Sequence, residues 1–160
     1  MINIHNTAII YPNVTLGNNV YIGAYCIIGS PAENKSTWLE GGKGVIIGDN
    51  TVITGAATID SGVDAPTTIG KNCFIMKQVH IGHDAFIMDG CILSPSVNIG
   101  GHACIGFDAN LGMGVSVHQF CNIPKGCMIG MNSTVTKKSV LEPNNVYIGS
   151  PVRYLRSNEE

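Results

Sequence analysis

The feature that most limits how this chain can fold is an apolar residue at every sixth position. Beginning at Ile4 and running in three blocks, 21 such positions are occupied by Ile, Leu or Val without exception. The longest block starts at Ile69 and continues through thirteen consecutive repeats to Leu141. An amphipathic α-helix needs a period near 3.6 residues, which a spacing of six does not match over that length. The repeat therefore predicts short strands separated by turns and stacked as a solenoid.

A second position in the repeat supports this interpretation. The residue two positions before the apolar one is usually small, as at Ala57, Val79 and Ala103. Because side chains alternate between the two faces of a strand, both positions point into the same core. Five of the six cysteines fall at this inward position, and we expect them to be core residues and not disulfide partners or metal ligands: Cys26, Cys73, Cys91, Cys121 and Cys127.

The pattern resembles the hexapeptide-repeat family of left-handed parallel β-helices. Three hexads form one triangular coil in that family, so the resemblance implies an all-β fold of about seven coils with a left-handed winding. A short strand with one apolar face is not stable alone, and stacked coils bury a continuous core and pair their strands in parallel, about 4.8 Å apart. Residues 1–160 are expected to form one such domain, with a polar tail at residues 143–160.

Two segments interrupt the repeat, at about residues 30–45 and 60–68, and we expect both to form loops. Insertions in a solenoid often mark its binding face. If the first loop replaces one hexad, five apolar residues stack in one column and both loops leave at the corner after it: Ile28, Ile59, Ile81, Ile99 and Val117. Trp38, the only tryptophan, lies in the first loop, where it is expected to pack and not to bind a ligand.

Composition excludes several classes of protein. The formal net charge is −2, with nine Lys and Arg against eleven Asp and Glu, which leaves no basic surplus for a nucleic-acid partner. An apolar fraction of 44% with so little net charge is not typical of a disordered chain. No apolar segment approaches the roughly 20 residues that cross a bilayer, and the first residues lack the basic region of a signal peptide. We therefore expect a cytoplasmic protein without a membrane span.

Side chains capable of chemistry are concentrated at the corner where the two loops leave. His83, Gly101 and Gln119 are each 18 residues apart, so they lie above one another in such a winding. An imidazole can take a proton near neutral pH, a carboxylate such as Asp84 can orient it, and an exposed backbone N–H can stabilise an oxyanion. Four of the five histidines lie within three coils here: His80, His83, His102 and His118. The arrangement favours direct acyl transfer from an activated donor to an acceptor.

Three segments at this corner resemble the UDP-N-acetylglucosamine O-acyltransferases, the first enzymes of lipid A assembly. These segments are HIGHD (residues 80–84), IGGH (99–102) and GMGVSVHQF (112–120), and their mutual spacings match that family without a gap. The segments IHNTAI near the start and GVIIGDN after the first loop resemble the same enzymes.

This closer resemblance implies a role for each matching residue. His83 is the implied general base, Asp84 is its partner, and the N–H of Gly101 holds the oxyanion. Contacts with the sugar nucleotide or the acyl group are implied for four further residues: His80, His102, His118 and Gln119. The implied assembly is a homotrimer with each site between two subunits. The implied acceptor is a nucleotide sugar such as UDP-N-acetylglucosamine, and the donor is a thioester of acyl-carrier protein or coenzyme A. Neither a bound cofactor nor a metal ion is expected.

The sequence departs from the acyltransferase family at two places. It does not include that family's C-terminal helical region, and its first loop reads AENKSTW where the family has Gln-Asp-x-Lys. Residues 146–156 (VYIGSPVRYLR) instead resemble the tail of small acetyl-CoA-dependent acetyltransferases, which act on sugars, nucleotide sugars or antibiotics. The donor, the length of the acyl chain and the choice between oxygen and nitrogen as the acylated atom therefore stay open.

Two other classes of β-helix fit the sequence less well. A γ-class carbonic anhydrase holds zinc partly through two histidines five residues apart, whereas the residue five positions after His102 is Phe107. A non-catalytic β-helix gives no reason for histidine, aspartate and glycine to converge beside two loops. An acyltransferase is therefore the favoured interpretation.

Overall fold

The computed structural model describes residues 3–36, 38 and 42–158. Part of the first predicted loop, at residues 37 and 39–41, and the two ends of the predicted domain, at 1–2 and 159–160, lie outside the described residues. The regular secondary structure of the described residues consists of short strands, and these residues contain no helix that could cross a membrane. Most strands have two residues, because the rest of each hexad forms the turn to the next face. The cytoplasmic location stays a prediction.

The strands form three sheets, which are the three faces of a triangular prism. Sheet A contains, in spatial order, β1 (Asn3–Ile4), β4 (Tyr21–Ile22), β7 (Val52–Ile53), β10 (Phe74–Ile75), β13 (Ile92–Leu93), β16 (Asn110–Leu111), β19 (Met128–Ile129), β21 (Asn145–Ile148) and β22 (Arg153–Ser157). Sheet B contains β2 (Ile9–Ile10), β5 (Ile27–Ser30), β8 (Thr58–Asp60), β11 (His80–Ile81), β14 (Asn98–Ile99), β17 (Ser116–Val117) and β20 (Thr134–Val135). Sheet C contains β3 (Val14–Leu16), β6 (Val45–Ile47), β9 (Thr67–Ile69), β12 (Phe86–Ile87), β15 (Cys104–Ile105) and β18 (Asn122–Ile123).

Within each sheet, the strands between its two ends pair in parallel with the strands one coil before and one coil after them, and β22 is the antiparallel exception. In sheet B, Ile81 lies opposite Ile59 on one side and opposite Ile99 on the other. The column of apolar residues expected on this face is thus present, from Ile28 to Val117. The prediction of a left-handed parallel β-helix is confirmed.

The residues at every sixth position form the core of the prism. Ile22, Ile81 and Ile129 are fully buried, as are most of their counterparts. Burying an Ile side chain stabilises the folded chain by about 1.5–3 kcal/mol, and nearly every hexad buries one such apolar side chain. The five inward cysteines are buried as expected, whereas Cys104 is half-buried, and all six are free thiols.

The polar tail adds a further coil to the seven expected from the hexads. The strand β21 pairs in parallel with β19, and β22 then returns antiparallel to β21. Tyr147 of β21 is buried, and its hydroxyl accepts a hydrogen bond from the N–H of Glu142 at 2.7 Å. The tail therefore folds back onto the last coil and covers the exposed edge of sheet A.

Both interruptions follow strands of sheet B, as expected. Loop 1 comprises residues 31–44 between β5 and β6, and loop 2 comprises residues 61–66 between β8 and β9. The loops are hydrogen-bonded to one another: the N–H of Lys43 donates to the carbonyl of Gly62 at 2.7 Å, and the N–H of Gly44 donates to Ser61 Oγ at 2.8 Å. They form one protruding unit beside the corner that follows β11.

Candidate functional site

His83 and Asp84 form a hydrogen-bonded pair at the turn after β11. The distance between His83 Nδ1 and Asp84 Oδ2 is 2.8 Å. Asp84 adopts a left-handed backbone conformation with a φ of 59°, which turns the chain toward sheet C. The side chain of His83 is 19% exposed and that of Asp84 only 3%, so the imidazole has access to solvent while its partner does not.

Loop 2 is wrapped around the carboxylate of Asp84. Three consecutive backbone N–H groups donate to it: those of Val63 at 2.9 Å, Asp64 at 2.8 Å and Ala65 at 2.7 Å. Burial acts to raise the pKa of Asp84, but these donors and His83 outweigh it and lower the pKa to about 2. Asp84 is therefore ionised at neutral pH and holds the proton of His83 on Nδ1, which leaves Nε2 free to accept another proton.

Gly101 lies one coil above His83, directly against its ring. A Cβ at residue 101 would be 2.9 Å from His83 Nε2 and 3.0 Å from Cε1, so any side chain there would displace the imidazole. The carbonyl of Gly101 accepts a hydrogen bond from the N–H of Phe120 at 3.0 Å. Its own N–H has no acceptor among the described residues. A free donor and a proton-accepting nitrogen thus lie side by side.

His102 is a second imidazole at the same corner. Its Nε2 is 3.7 Å from Asp84 Oδ2 and 3.8 Å from Asp64 Oδ2. Its ring meets the ring of His83 edge-on at 5.2 Å and stacks on Phe120 at 4.6 Å. Lys137 Nζ lies 5.2 Å from the centroid of Phe120. His102 is therefore held between carboxylates and an aromatic ring, within reach of a group bound at His83.

His80 lies on the outer surface of sheet B, three residues before His83. Its Nδ1 is 2.8 Å from Thr58 Oγ1, and its Nε2 is 3.9 Å from Asp60 Oδ2. Asp60 is 6% exposed, and burial raises the pKa of its carboxyl group while the nearby His80 opposes that shift. Both residues line a cavity of about 380 Å³ between loop 1 and sheet B.

His118 and Gln119 are exposed at the same corner, on the coil above Gly101. His118 Nδ1 is 3.0 Å from the carbonyl oxygen of Gln119. Together with His80, Ser116 and Thr134 they line a shallow groove of about 310 Å³ along sheet B. The structure thus brings all seven residues singled out from the sequence to one corner: Asp84, Gly101 and His102 around the ring of His83, and His80, His118 and Gln119 along the adjoining groove.

Sequence reasoning did not single out Asp60 or Asp64, and it placed Phe120 beside the corner without giving it a role. Asp60 comes directly after Ile59 of the apolar column. Its position beside His80 can be predicted only when the coil that contains loop 2 is counted as 22 residues. Phe120 lies 18 residues after His102, so the regular repeat does place it in the same column. Asp64 lies inside loop 2, where no repeat indicates its position.

One group of described residues could hold a metal ion, namely His83, Asp84 and His102, whose ligand atoms lie within 4.8 Å of one another. The 2.8 Å separation of His83 Nδ1 and Asp84 Oδ2 fits a hydrogen bond. Two ligands of one zinc ion, each about 2.0–2.2 Å from it, lie farther apart than this in tetrahedral geometry. The arrangement therefore fits an acid–base pair better than a resident metal centre.

The family model and the curated proteins that match this chain agree with one another in describing transferases. The family model for the bacterial transferase hexapeptide (six repeats) matches residues 1–33 and 66–101. A curated protein of Campylobacter concisus (strain 13826), named acyl-(acyl-carrier-protein)–UDP-N-acetylglucosamine O-acyltransferase, is 34% identical over 142 residues, which are 84% of this chain and 54% of that protein. The chain spans about half the length of the curated relatives it matches.

Solved structures resemble the β-helix over nearly all of its length. A UDP-N-acetylglucosamine acyltransferase from Bacteroides fragilis 9343 superimposes with a TM-score of 0.92 at 29% identity, covering 98% of this chain and 62% of that one. A UDP-N-acetylglucosamine acyltransferase from Campylobacter jejuni superimposes with a TM-score of 0.79 at 27% identity, covering 98% and 75%.

Proposed function

This chain belongs to the bacterial hexapeptide-repeat family, and from that premise we propose that it is an acyltransferase. It moves an acyl group from a thioester to a hydroxyl or amine of a nucleotide sugar such as UDP-N-acetylglucosamine. The observation that carries the proposal is the placement of His83 Nε2 in the space that a side chain at Gly101 would fill, with ionised Asp84 behind the ring. The names of the matched relatives support the same substrate class.

The reaction begins with proton removal by His83. Asp84 fixes the ring with its proton on Nδ1, so Nε2 accepts the proton of the acceptor's hydroxyl or amine as that atom attacks the thioester carbonyl carbon. The carboxylate stabilises the imidazolium that results. General-base catalysis of this kind contributes about 10²–10⁴-fold to a rate.

The tetrahedral intermediate is stabilised at Gly101. Its free N–H donates to the oxyanion that forms on the former carbonyl oxygen, and one such donor is worth about 10²–10³-fold. The intermediate then re-forms the carbonyl and breaks the C–S bond. The thiolate takes the proton from His83 Nε2, so the products are the acylated sugar and the free thiol, and the enzyme returns to its initial state.

The substrates lie along the groove of sheet B in this proposal. His80, His102, His118 and Gln119 contact the nucleotide sugar or the acyl chain. The exposed side of the groove is covered by a second subunit of a homotrimer. The donor is a thioester of acyl-carrier protein or coenzyme A. Coenzyme A stays a candidate because the tail, which folds back as β21 and β22, resembles the tail of acetyl-CoA-dependent enzymes.

The proposal is tested by replacing His83. Purified wild-type protein and His83→Ala are incubated with a panel of nucleotide sugars, which includes UDP-N-acetylglucosamine and UDP-linked amino sugars, and with acyl-carrier-protein and acyl-CoA thioesters, and the products are identified by mass spectrometry. We expect transfer by the wild type and a loss of at least 100-fold in kcat for His83→Ala. His5→Ala, an exposed histidine of the first coil, is the matched control and keeps the wild-type rate. Equal rates for wild type and His83→Ala, or no transfer by the wild type from any donor, would contradict the proposal.

A further inference from the structure

The cavity between loop 1 and sheet B differs in character from the groove beside it. Its volume is about 380 Å³. Tyr11 and Trp38 contribute aromatic surface to its walls, and Glu33, Asp60 and His80 contribute polar groups. Trp38 was expected to pack and not to bind a ligand, but the residue is 49% exposed and lines this cavity. The cavity thus combines flat apolar surface with carboxylates, two features that suit a sugar ring and its polar substituents.

Asp60 is the buried acidic group of this cavity. Its side chain is 6% exposed, and its Oδ2 is 3.9 Å from His80 Nε2, which is longer than a hydrogen bond. His80 already uses Nδ1 in its contact with Thr58. Burial raises the pKa of Asp60 more than the nearby His80 and the backbone N–H of Glu33 lower it. Burying an ionised carboxylate with so few hydrogen-bond partners destabilises the fold, and a bound ligand that donates hydrogen bonds to it would offset part of that free energy.

The charges around the cavity determine which kind of hydrogen-bonding group it can bind. None of the described residues that line it is a lysine or an arginine. The Glu33 carboxylate adds a second negative group close enough to oppose the ionisation of Asp60. A phosphate is repelled by these two groups, whereas an ammonium group is attracted and supplies the missing hydrogen bonds.

We propose that this cavity binds a protonated amino group of the acceptor, so that the preferred acceptor is a nucleotide-linked amino sugar. Asp60 accepts hydrogen bonds from the ammonium group, and Tyr11 and Trp38 cover the ring. The inference rests on the proposed function, because His80 connects the cavity to His83 only three residues later and the same sugar presents its nucleophile there. Asp60 is a specificity-determining residue and takes no part in proton transfer.

The test measures binding without a donor, so it does not depend on acyl transfer. Trp38 is the only tryptophan and lines the cavity, so its fluorescence excited at 295 nm, with calorimetry as a second readout, reports occupancy. The ligands are UDP-linked sugars with a free amine at C2, C3 or C4, compared with UDP-glucose. We expect at least one amine to bind the wild type about tenfold more tightly than UDP-glucose, since hydrogen bonds to charged groups are worth about 1.5–3 kcal/mol.

Asp60→Asn separates a charge effect from a change of shape. We expect it to remove the preference for the amine while changing the affinity for UDP-glucose less than threefold. Asp108→Asn, an exposed aspartate at another corner, should keep the preference. Equal binding of every amine and UDP-glucose by the wild type overturns the inference and leaves the proposed acyl transfer standing. A preference that survives in folded Asp60→Asn and in Glu33→Gln also overturns it. Loss of transfer in His83→Ala with the amine preference intact is the pattern expected if both proposals hold.

Discussion

The ring of His83 occupies the space that a side chain at residue 101 would need. This close approach explains why glycine stands at a position whose backbone conformation does not itself require it, since Gly101 has no positive φ. The same absence of a side chain leaves the N–H of Gly101 open to a ligand. A single residue thus provides both the room for the base and the donor for an oxyanion.

A methyl group at residue 101 should therefore act through His83. We expect Gly101→Ala to lower kcat by about 10- to 100-fold, because the imidazole must move by several tenths of an ångström and small displacements of a catalytic group are costly. Steady-state kinetics and thermal unfolding of the two proteins measure the effect, and we expect the unfolding temperature to change little.

A double-mutant cycle identifies the cause of that loss. If Gly101→Ala acts by displacing the ring, it should have a much smaller effect when His83 is already Ala. A loss of the same size in both backgrounds would mean that the methyl group blocks the oxyanion position or the substrate and does not act on the base.

Among the structural elements, loop 2 depends on Asp84 most directly. Its amides at residues 63–65 all donate to that carboxylate, and the backbone N–H of Asp84 donates in turn to Thr67 Oγ1 at 2.9 Å. Asp84 therefore has two roles: it orients His83 and it holds the loop in place. A loop stabilised by one buried charge should also respond to pH.

The sign of that response follows from the pKa of Asp84, which is lowered from 3.8 to about 2 in the folded chain. A lowered pKa stabilises the fold above the unfolded value, and this contribution, about 2 kcal/mol, is lost as the pH falls from about 4 to 2. We expect Asp84→Asn to be less stable than the wild type at pH 7, and the difference to shrink toward pH 2. Urea unfolding between pH 2 and 7 measures it.

Two comparisons make this result specific. The raised pKa of Asp60 acts in the opposite direction, but it is common to both proteins, so the difference between them isolates Asp84. Hydrogen exchange of the amides at residues 63–65 should accelerate in Asp84→Asn and not in the exposed control Asp108→Asn. A stability difference that is independent of pH would show that loop 2 is held by other contacts.

For the whole molecule, the repeat determines far more than the secondary structure. A shift of one residue would turn every apolar side chain to the solvent, so the spacing of six fixes the register of each coil and predicts that His83, Gly101 and Gln119 share a column. The two loops obey no repeat. The capture of Asp84 by loop 2 depends on the backbone of that loop, which is why the sequence predicted the corner but not this contact. Asp60, in contrast, ends β8, and the pairing of Ile59 with Ile81 brings it near His80.

The last coil is the place where the repeat alone would leave the molecule incomplete. Without residues 144–158 the backbone of β19 would be an open strand edge, and Ile129 and Val135, both buried, would lose part of their cover. Open apolar edges pair with other chains. The tail supplies β21 to cover this edge, and β22 then presents exposed residues that include Arg153 and Arg156.

We therefore expect a chain truncated after Pro143 to unfold at a lower temperature and to form larger assemblies than the full chain. Light scattering after size-exclusion chromatography and thermal unfolding measure both effects, and a chain ending at Asn158 is the matched control. The His83 corner lies several coils away from the truncation, and in a solenoid each coil contacts only its neighbours. The fraction of truncated protein that keeps its normal size should thus retain the hydrogen-exchange protection of residues 63–65, and loss of that protection would show that the tail supports the whole prism and not its last coils alone.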